Sequence, residues 1–290
     1  MRLTEIRVDP RPVALARIGI GLATLANSVE AHGILLEIAH GKLRLPVHES
    51  IPAPNDIVLA AFLLLALGAS VAVVVGWKTS GAAVALTILN AFVLLWDQQT
   101  YSSHRLLMTL LTVFLIFARS DAAWSISNRG GTVPWWPQLL MMVQISVLYF
   151  FAAISKVSIV FLSGVPLSLW VRFSAPWWVF TLMALATVAV ELYLAFGLWL
   201  PSTRRKAVVL GVLLHTGIVT MLEEETVPLI AFAVTCLSLY WLFLSRPGLR
   251  FVDRRDGGEG RRRTARRRTD RATAARATGR PPAPGRRPGR

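Results

Sequence analysis

Lys156 is the side chain of this sequence most in need of a chemical reason. It stands inside the apolar run Gln138 to Gly164, QLLMMVQISVLYFFAAISKVSIVFLSG. From Leu139 to Leu162 that run exceeds the roughly 20 residues that span a bilayer core at ~1.5 Å rise each, so it is expected to form one membrane helix. An ammonium inside such a helix costs at least ~2.5 kcal/mol unless it snorkels, pairs or faces a wet cavity. Two readings follow: the stem stretches to the headgroups, or desolvation disfavours the charged form and leaves a neutral amine as a proton acceptor. Glu191 lies about nine residues from the nearer end of its own apolar run, too deep to snorkel, and must be paired, protonated or solvated. Arg17 is its expected partner, in a structural pair or a proton route. His104, His215 and Asp97 complete the candidate set. Two histidines and a carboxylate can bind a transition metal, but these come from separate elements without i, i+4 spacing, and no metal site is expected. No glycine-rich phosphate loop or Gly-x-Ser-x-Gly elbow is present.

The elements that must carry these residues are membrane helices. Of 290 residues, 54% are hydrophobic and only 16% charged, too apolar for an ordinary soluble domain. The expected fold is an all-α polytopic transmembrane bundle of about eight spans: Pro12–Ala26, Ile57–Val75, Gly81–Trp96, Arg105–Phe117, Leu139–Leu162, Trp177–Leu200, Ala207–Leu222 and Thr226–Leu244. The first is expected to be an uncleaved helix, because the arginines and apolar run at the N-terminus lack a small-x-small cleavage site. Asn27 to Asp56 reads as a polar, proline-broken loop. The single cysteine, Cys236, excludes an intrachain disulfide framework. The chain divides into residues 10–245, the membrane domain, and an Arg-rich tail over 246–290. The formal charge of +15 splits into +3 for residues 1–245 and +12 for the tail. Residues 254–290, almost without large apolar side chains, are expected to be disordered.

Eight spans with both termini cytoplasmic put Arg2, Arg7, Arg11, Lys78, Arg119, Arg129, Arg204, Arg205, Lys206 and the tail on the inner side. Lys42, Arg44, Arg105, Arg172 and the triple glutamate 223–225 then lie outside, as the positive-inside rule asks. The expected location is the cell membrane, multi-pass. In this topology Lys156, His104, His215 and Asp97 share the outer half of the membrane, with Glu191 toward the inner half.

Asp97 to His104 followed by an apolar helix, the segment Tyr149-Phe150-Phe151-Ala152-Ala153-Ile154-Ser155-Lys156, then Gly164, Glu191-Leu192-Tyr193-Leu194-Ala195-Phe196-Gly197 and a later His215 resemble the HTTM domain. This is the membrane part shared by vitamin K-dependent gamma-carboxylases and many bacterial proteins. The resemblance covers roughly residues 10–245. It implies that Lys156 is the base that deprotonates a reduced quinone, with His104 and His215 in the same catalytic pocket and Asp97, Tyr101 and Tyr149 as substrate contacts. It further implies reduced vitamin K or menaquinol as the cofactor, reacting with oxygen to an epoxide in a pocket that excludes water. Ser155 departs from the family, which has a second lysine there. The large extracytoplasmic domain that helps the carboxylase bind its protein substrate is not found in these residues. The expectation therefore moves from glutamate carboxylation to oxidation of a quinol or another lipid-soluble substrate.

The alternative is a non-catalytic membrane factor for secreted-peptide maturation, immunity or assembly, its polar residues only holding helices together. A transporter ranks below both, since no inverted repeat or broken helix pair is legible. Expected partners are membrane lipid and a quinone-like or peptide substrate. The tail is expected on anionic lipid at ~1 kcal/mol per basic residue, in preference to nucleic acid.

Overall fold

The computed structural model describes residues 3–223 and 226–245. The Arg-rich tail and part of the glutamate cluster, Glu224 and Glu225, lie outside the described residues. A bundle of ten α-helices forms the body. In order these are α1 (Arg11–Ala39), α2 (Asp56–Val75), α3 (Thr79–Trp96), α4 (Ser103–Phe117), α5 (Trp136–Ser155), the short α6 (Ile159–Leu162) and α7 (Val165–Trp170), α8 (Trp177–Gly197), α9 (Arg204–Met221) and α10 (Thr226–Leu244). A two-residue strand β1 (Arg7–Val8) pairs antiparallel with β2 (Val133–Pro134), tying the N-terminal segment to the entry of α5.

Six of the described helices, α1, α2, α3, α5, α8 and α10, are long and apolar enough to cross a membrane. The protein is a multi-pass membrane protein. α4 has only 15 residues, and α9 opens on Arg204-Arg205-Lys206; neither meets the same measure of length and apolarity.

Two boundaries differ from the sequence expectation. α1 does not end at Ala26 but continues for 29 residues in all, about 44 Å at 1.5 Å per residue. The reason is legible afterwards: Ala31, Leu35 and Ile38 repeat at helical spacing and pack with Leu59, Phe62, Val93 and Trp96 into a second core cluster at that end of the bundle. Polar Glu30 and Ser28 do not break the helix, because Ser28 Oγ donates to Thr24 O at 2.8 Å and Glu30 has an ionic partner across the bundle.

The second difference concerns Lys156. The run expected as one continuous helix is broken, and α5 stops at Ser155 with Lys156 as its C-terminal cap residue. Val157 leaves the helix, and Ser158, extended at φ −140, starts α6 by accepting from Phe161 N at 3.2 Å. Such side-chain capping is what makes serine an N-terminus signal. Gly164 then turns the chain at φ +82 so close to α8 that a Cβ there would lie 2.4 Å from Thr181 N. Only glycine combines that approach with that φ. Thr181 Oγ1 donates to Ser163 O at 2.8 Å, so the break and both short helices lean on α8. Interrupted backbone at membrane depth persists only where protein buries it or it lines a cavity, and here it borders one.

The largest core cluster joins α1, α4, α5 and α10 through residues such as Val13, Ile20, Leu107, Leu111, Ile145 and Leu239. A smaller one, Leu167, Val171, Phe180 and Ala184, fastens α7 to α8.

Candidate functional site

α4, α5, α7, α8, α9 and α10 together enclose a cavity of about 830 Å³. That is within the range of pockets that bury a small organic ligand. His104, Tyr149, Lys156, Glu191 and His215 are the ionisable side chains on its wall, and aliphatic and aromatic residues dominate the rest. Phe151, Trp170 and Leu213 in the lining are each more than half exposed, and the cavity is not sealed.

The break after α5 delivers Lys156 to this wall. Its Nζ lies 2.8 and 2.9 Å from the two carboxylate oxygens of Glu191 and 3.1 Å from Ala152 O. Three acceptors meet the three N–H bonds of an ammonium. The α5 carbonyls add the negative end of a helix dipole. The expectation of a bare amine among imidazoles is thus corrected: its immediate partner is a carboxylate. The same contact corrects the partner expected for Glu191. It does not reach Arg17, whose guanidinium instead donates to the backbone oxygens of Ser120 and Trp124. The Lys156 side chain is 28% exposed and that of Glu191 7%, so the cation is the more open of two groups that both line the cavity.

The two histidines come from opposite sides. His104, in the first turn of α4, and His215, on α9, both pack against the ring of Phe232, with ring centroids 6.0 and 5.3 Å away. α9 buries only a narrow stripe, Ala207, Gly211 and His215. Gly211 makes the close approach possible, since a Cβ there would lie 2.3 Å from the Tyr240 hydroxyl of α10. His215 Nε2 lies 2.7 Å from the Tyr149 hydroxyl, which is also hydrogen-bonded to the Tyr240 hydroxyl. His215 Nδ1 is buried with no hydrogen-bond partner among the described residues.

Asp97 and Tyr101 are not part of the cavity wall. Asp97 is buried, accepts from Leu45 N at 2.8 Å and Gln99 N at 3.0 Å, and so clamps the loop after α1 onto the end of α3. Tyr101 is 60% exposed. Tyr149 does line the cavity, but its hydroxyl already serves His215 and Tyr240.

Sequence reasoning missed Tyr240 and the pair Arg105–Glu30. A tyrosine deep in an apolar span carries a signal, because its hydroxyl needs a partner there. Arg105, expected in an outer loop segment, is a buried helical residue of α4 whose Nη2 lies 3.2 Å from Glu30 Oε2. His104 and Arg105 are neighbours on a helix that turns about 100° per residue, which sends one to the cavity and the other to α1.

The family model described as the HTTM domain matches residues 6–244 of the chain. No solved structure matches it.

Proposed function

The chain belongs to the HTTM domain family, and from that premise we propose that it is a membrane enzyme acting on a quinol-class or similarly lipid-soluble substrate held in the 830 Å³ cavity. The observation that carries this reading is an acid–base pair, Lys156 with Glu191, in the wall of an apolar chamber that two imidazoles share. A structural pair alone has no need of such a chamber.

The cavity suits a ring-bearing head with an isoprenoid chain: it is mostly apolar, is not sealed, and has the His104 and His215 rings and the Lys156–Glu191 pair in its lining. Lys156, Glu191, His104 and His215 would hold the head. When bound, a reduced naphthoquinol supplies a ring hydroxyl whose deprotonation opens its oxidation by dioxygen. The chain's own part is proton handling. Passing one proton from Lys156 Nζ to Glu191 Oε1 converts the ion pair into an amine and an acid without leaving net charge in the cavity. Nζ then has a lone pair to accept a proton from the cavity side, and Glu191 retains the first. Matched groups of this kind contribute about 10²–10⁴-fold. The apolar wall limits water, so the lone pair meets the substrate before it meets solvent. The residues drawn into this scheme are those with the cavity's own geometry; Asp97, Tyr101 and Arg17 have no role in it.

The topology that goes with this reading is eight spans in the cell membrane with both termini cytoplasmic. α4, at 15 residues, and α9, which opens on a basic cluster, complete the count, and the Lys and Arg distribution supports the orientation. The basic tail is proposed to lie on anionic lipid of the inner leaflet.

The test is oxygen-dependent turnover of menaquinol by the purified, reconstituted full chain. Lys156→Ala should abolish turnover per folded molecule; full turnover in that variant ends the reading. One observation favours a second reading, a non-catalytic membrane factor: the Lys156–Glu191 contact also ties the end of α5 to α8. That reading expects Lys156→Met to leave the biological function intact.

A further inference from the structure

Gln144, Leu148 and Ala152 recur at i, i+4 spacing along α5 and lead to Lys156 at its end, and all four line the cavity. This wall therefore carries polar side chains at two levels, residues 144 and 156 standing ~18 Å apart along the axis at 1.5 Å per residue. At the level of Lys156 the polar groups are matched by Glu191 and Ala152 O. At the other level they are not. The Gln144 side chain makes no hydrogen bond among the described residues, whereas on the same helix Gln138 donates to Pro134 O and Ser146 both donates to Met142 O and accepts from Trp199 Nε1 at 2.7 Å. Gln144 is partly exposed, and neither of its carboxamide atoms is enclosed by protein. It stands ~12 Å along the axis from the start of α5 and farther from its end, too deep for its short stem to reach either. An amide without a partner in an apolar medium is costly, and no protein group offsets that cost.

We infer that Gln144 is a binding residue for an oxygen of the cavity ligand remote from the group that meets Lys156 and Glu191, so that the ligand is an elongated amphiphile with hydrogen-bonding groups at two separated places and an apolar stretch between them. A carboxamide donates to a carbonyl and accepts from a hydroxyl, and the remote group is one of these. A single aromatic head is shorter than ~18 Å, so head and remote oxygen occupy different levels. A plain hydrocarbon tail beside Gln144 would leave the amide unpaired. Placing a quinone head at the ionic end rests on the proposed quinol reading, whereas the role of Gln144 does not.

The test is binding to the full-length protein in lipid nanodiscs, with two pairs of probes. A benzoquinone with a hydroxydecyl tail is compared with the same quinone carrying a decyl tail, and dodecanediol with dodecanol. Each preference is taken relative to that of Gln144→Leu, which cancels the different partition of the probes into lipid; leucine is favourable in a membrane helix and keeps the fold. The unaltered protein should favour the hydroxydecyl quinone about tenfold, the size of one hydrogen bond, and Gln144→Leu should lose that preference. Equal binding of the two quinones, as a water-filled level at Gln144 would give, or a preference that survives Gln144→Leu, overturns the inference and leaves the quinol reading standing. Where neither quinone binds, the quinol reading falls and the alkanol pair decides: a Gln144-dependent preference for dodecanediol keeps the inference, and its absence overturns it.

Discussion

Two pairs of opposite charge among the described residues, Arg105–Glu30 and Lys156–Glu191, differ in what lies beside them. Arg105 on α4 reaches Glu30 on α1 at 3.2 Å, with its own side chain 2% exposed. It also donates from Nη1 to Thr100 O, and neither partner borders the cavity. Lys156 reaches Glu191 at 2.8 Å with 28% of its side chain exposed, and both partners border the cavity. The same electrostatics thus serves two ends. A guanidinium fixed among backbone and carboxylate acceptors, and unable to give up its proton, is a clamp. An ammonium on a single flexible stem, with a carboxylate able to take its proton and space on the other side, can do chemistry. The difference comes from the neighbouring volume and the chemistry of the cation, not from the pair itself.

Substitutions can break that contrast, the strongest first. Lys156→Met should lower turnover per folded molecule of the reconstituted enzyme by about 10²–10⁴-fold, over and above the fall in thermal midpoint that comes from leaving the buried Glu191 carboxyl unpaired. A large fall in midpoint with turnover per folded molecule preserved would make Lys156 a clamp like Arg105. Arg105→Met should do the reverse. It removes a buried cation together with its contacts to Glu30 and Thr100 O and should lower the denaturation midpoint while turnover per folded molecule is kept. Gly211→Ala sharpens the cavity side, because the added methyl meets Tyr240 at 2.3 Å. Overpacking of this kind costs about 1–3 kcal/mol, read as a lower denaturation midpoint, and should also lower turnover per folded molecule by moving the helix that carries His215. The smallest effect is expected from Ser158→Ala. Loss of the α6 cap should cost about 1 kcal/mol, measured as faster hydrogen exchange over residues 157–164 and an unchanged rate over α1.

Much of the scaffold was legible one segment at a time. Asn55 ahead of α2, which caps it by accepting from Val58 N, and Gly76 at φ +75, which closes it, are local signals that a linear reading finds. The C-terminal part of α1 was less visible, because Asn27, Glu30 and His32 dilute its apolar stripe. Their compatibility with a helix depends on partners on other helices, Arg105 above all. The break at Lys156 was hidden for the opposite reason: Leu139 to Leu162 is apolar enough to read as one span despite Gln144, Ser146, Ser155 and Ser158, and hydropathy carries no record of where a helix stops. His104, Lys156 and His215 stood out as costly in lipid, and they do share one cavity wall. Asp97 stood out equally and proved to be a loop clamp.

By itself, the sequence determined the membrane class, the family and most helix positions, because burial in lipid and capping act over one helix or a few residues. Only the tertiary structure decided that Glu191, not Arg17 or an imidazole, meets Lys156, that α5 ends there, and that Tyr240 stands behind His215. Each of those outcomes is a choice among several possible partners on different helices. Such choices are made by shape and distance in three dimensions, for which the order of residues along one chain holds no measure.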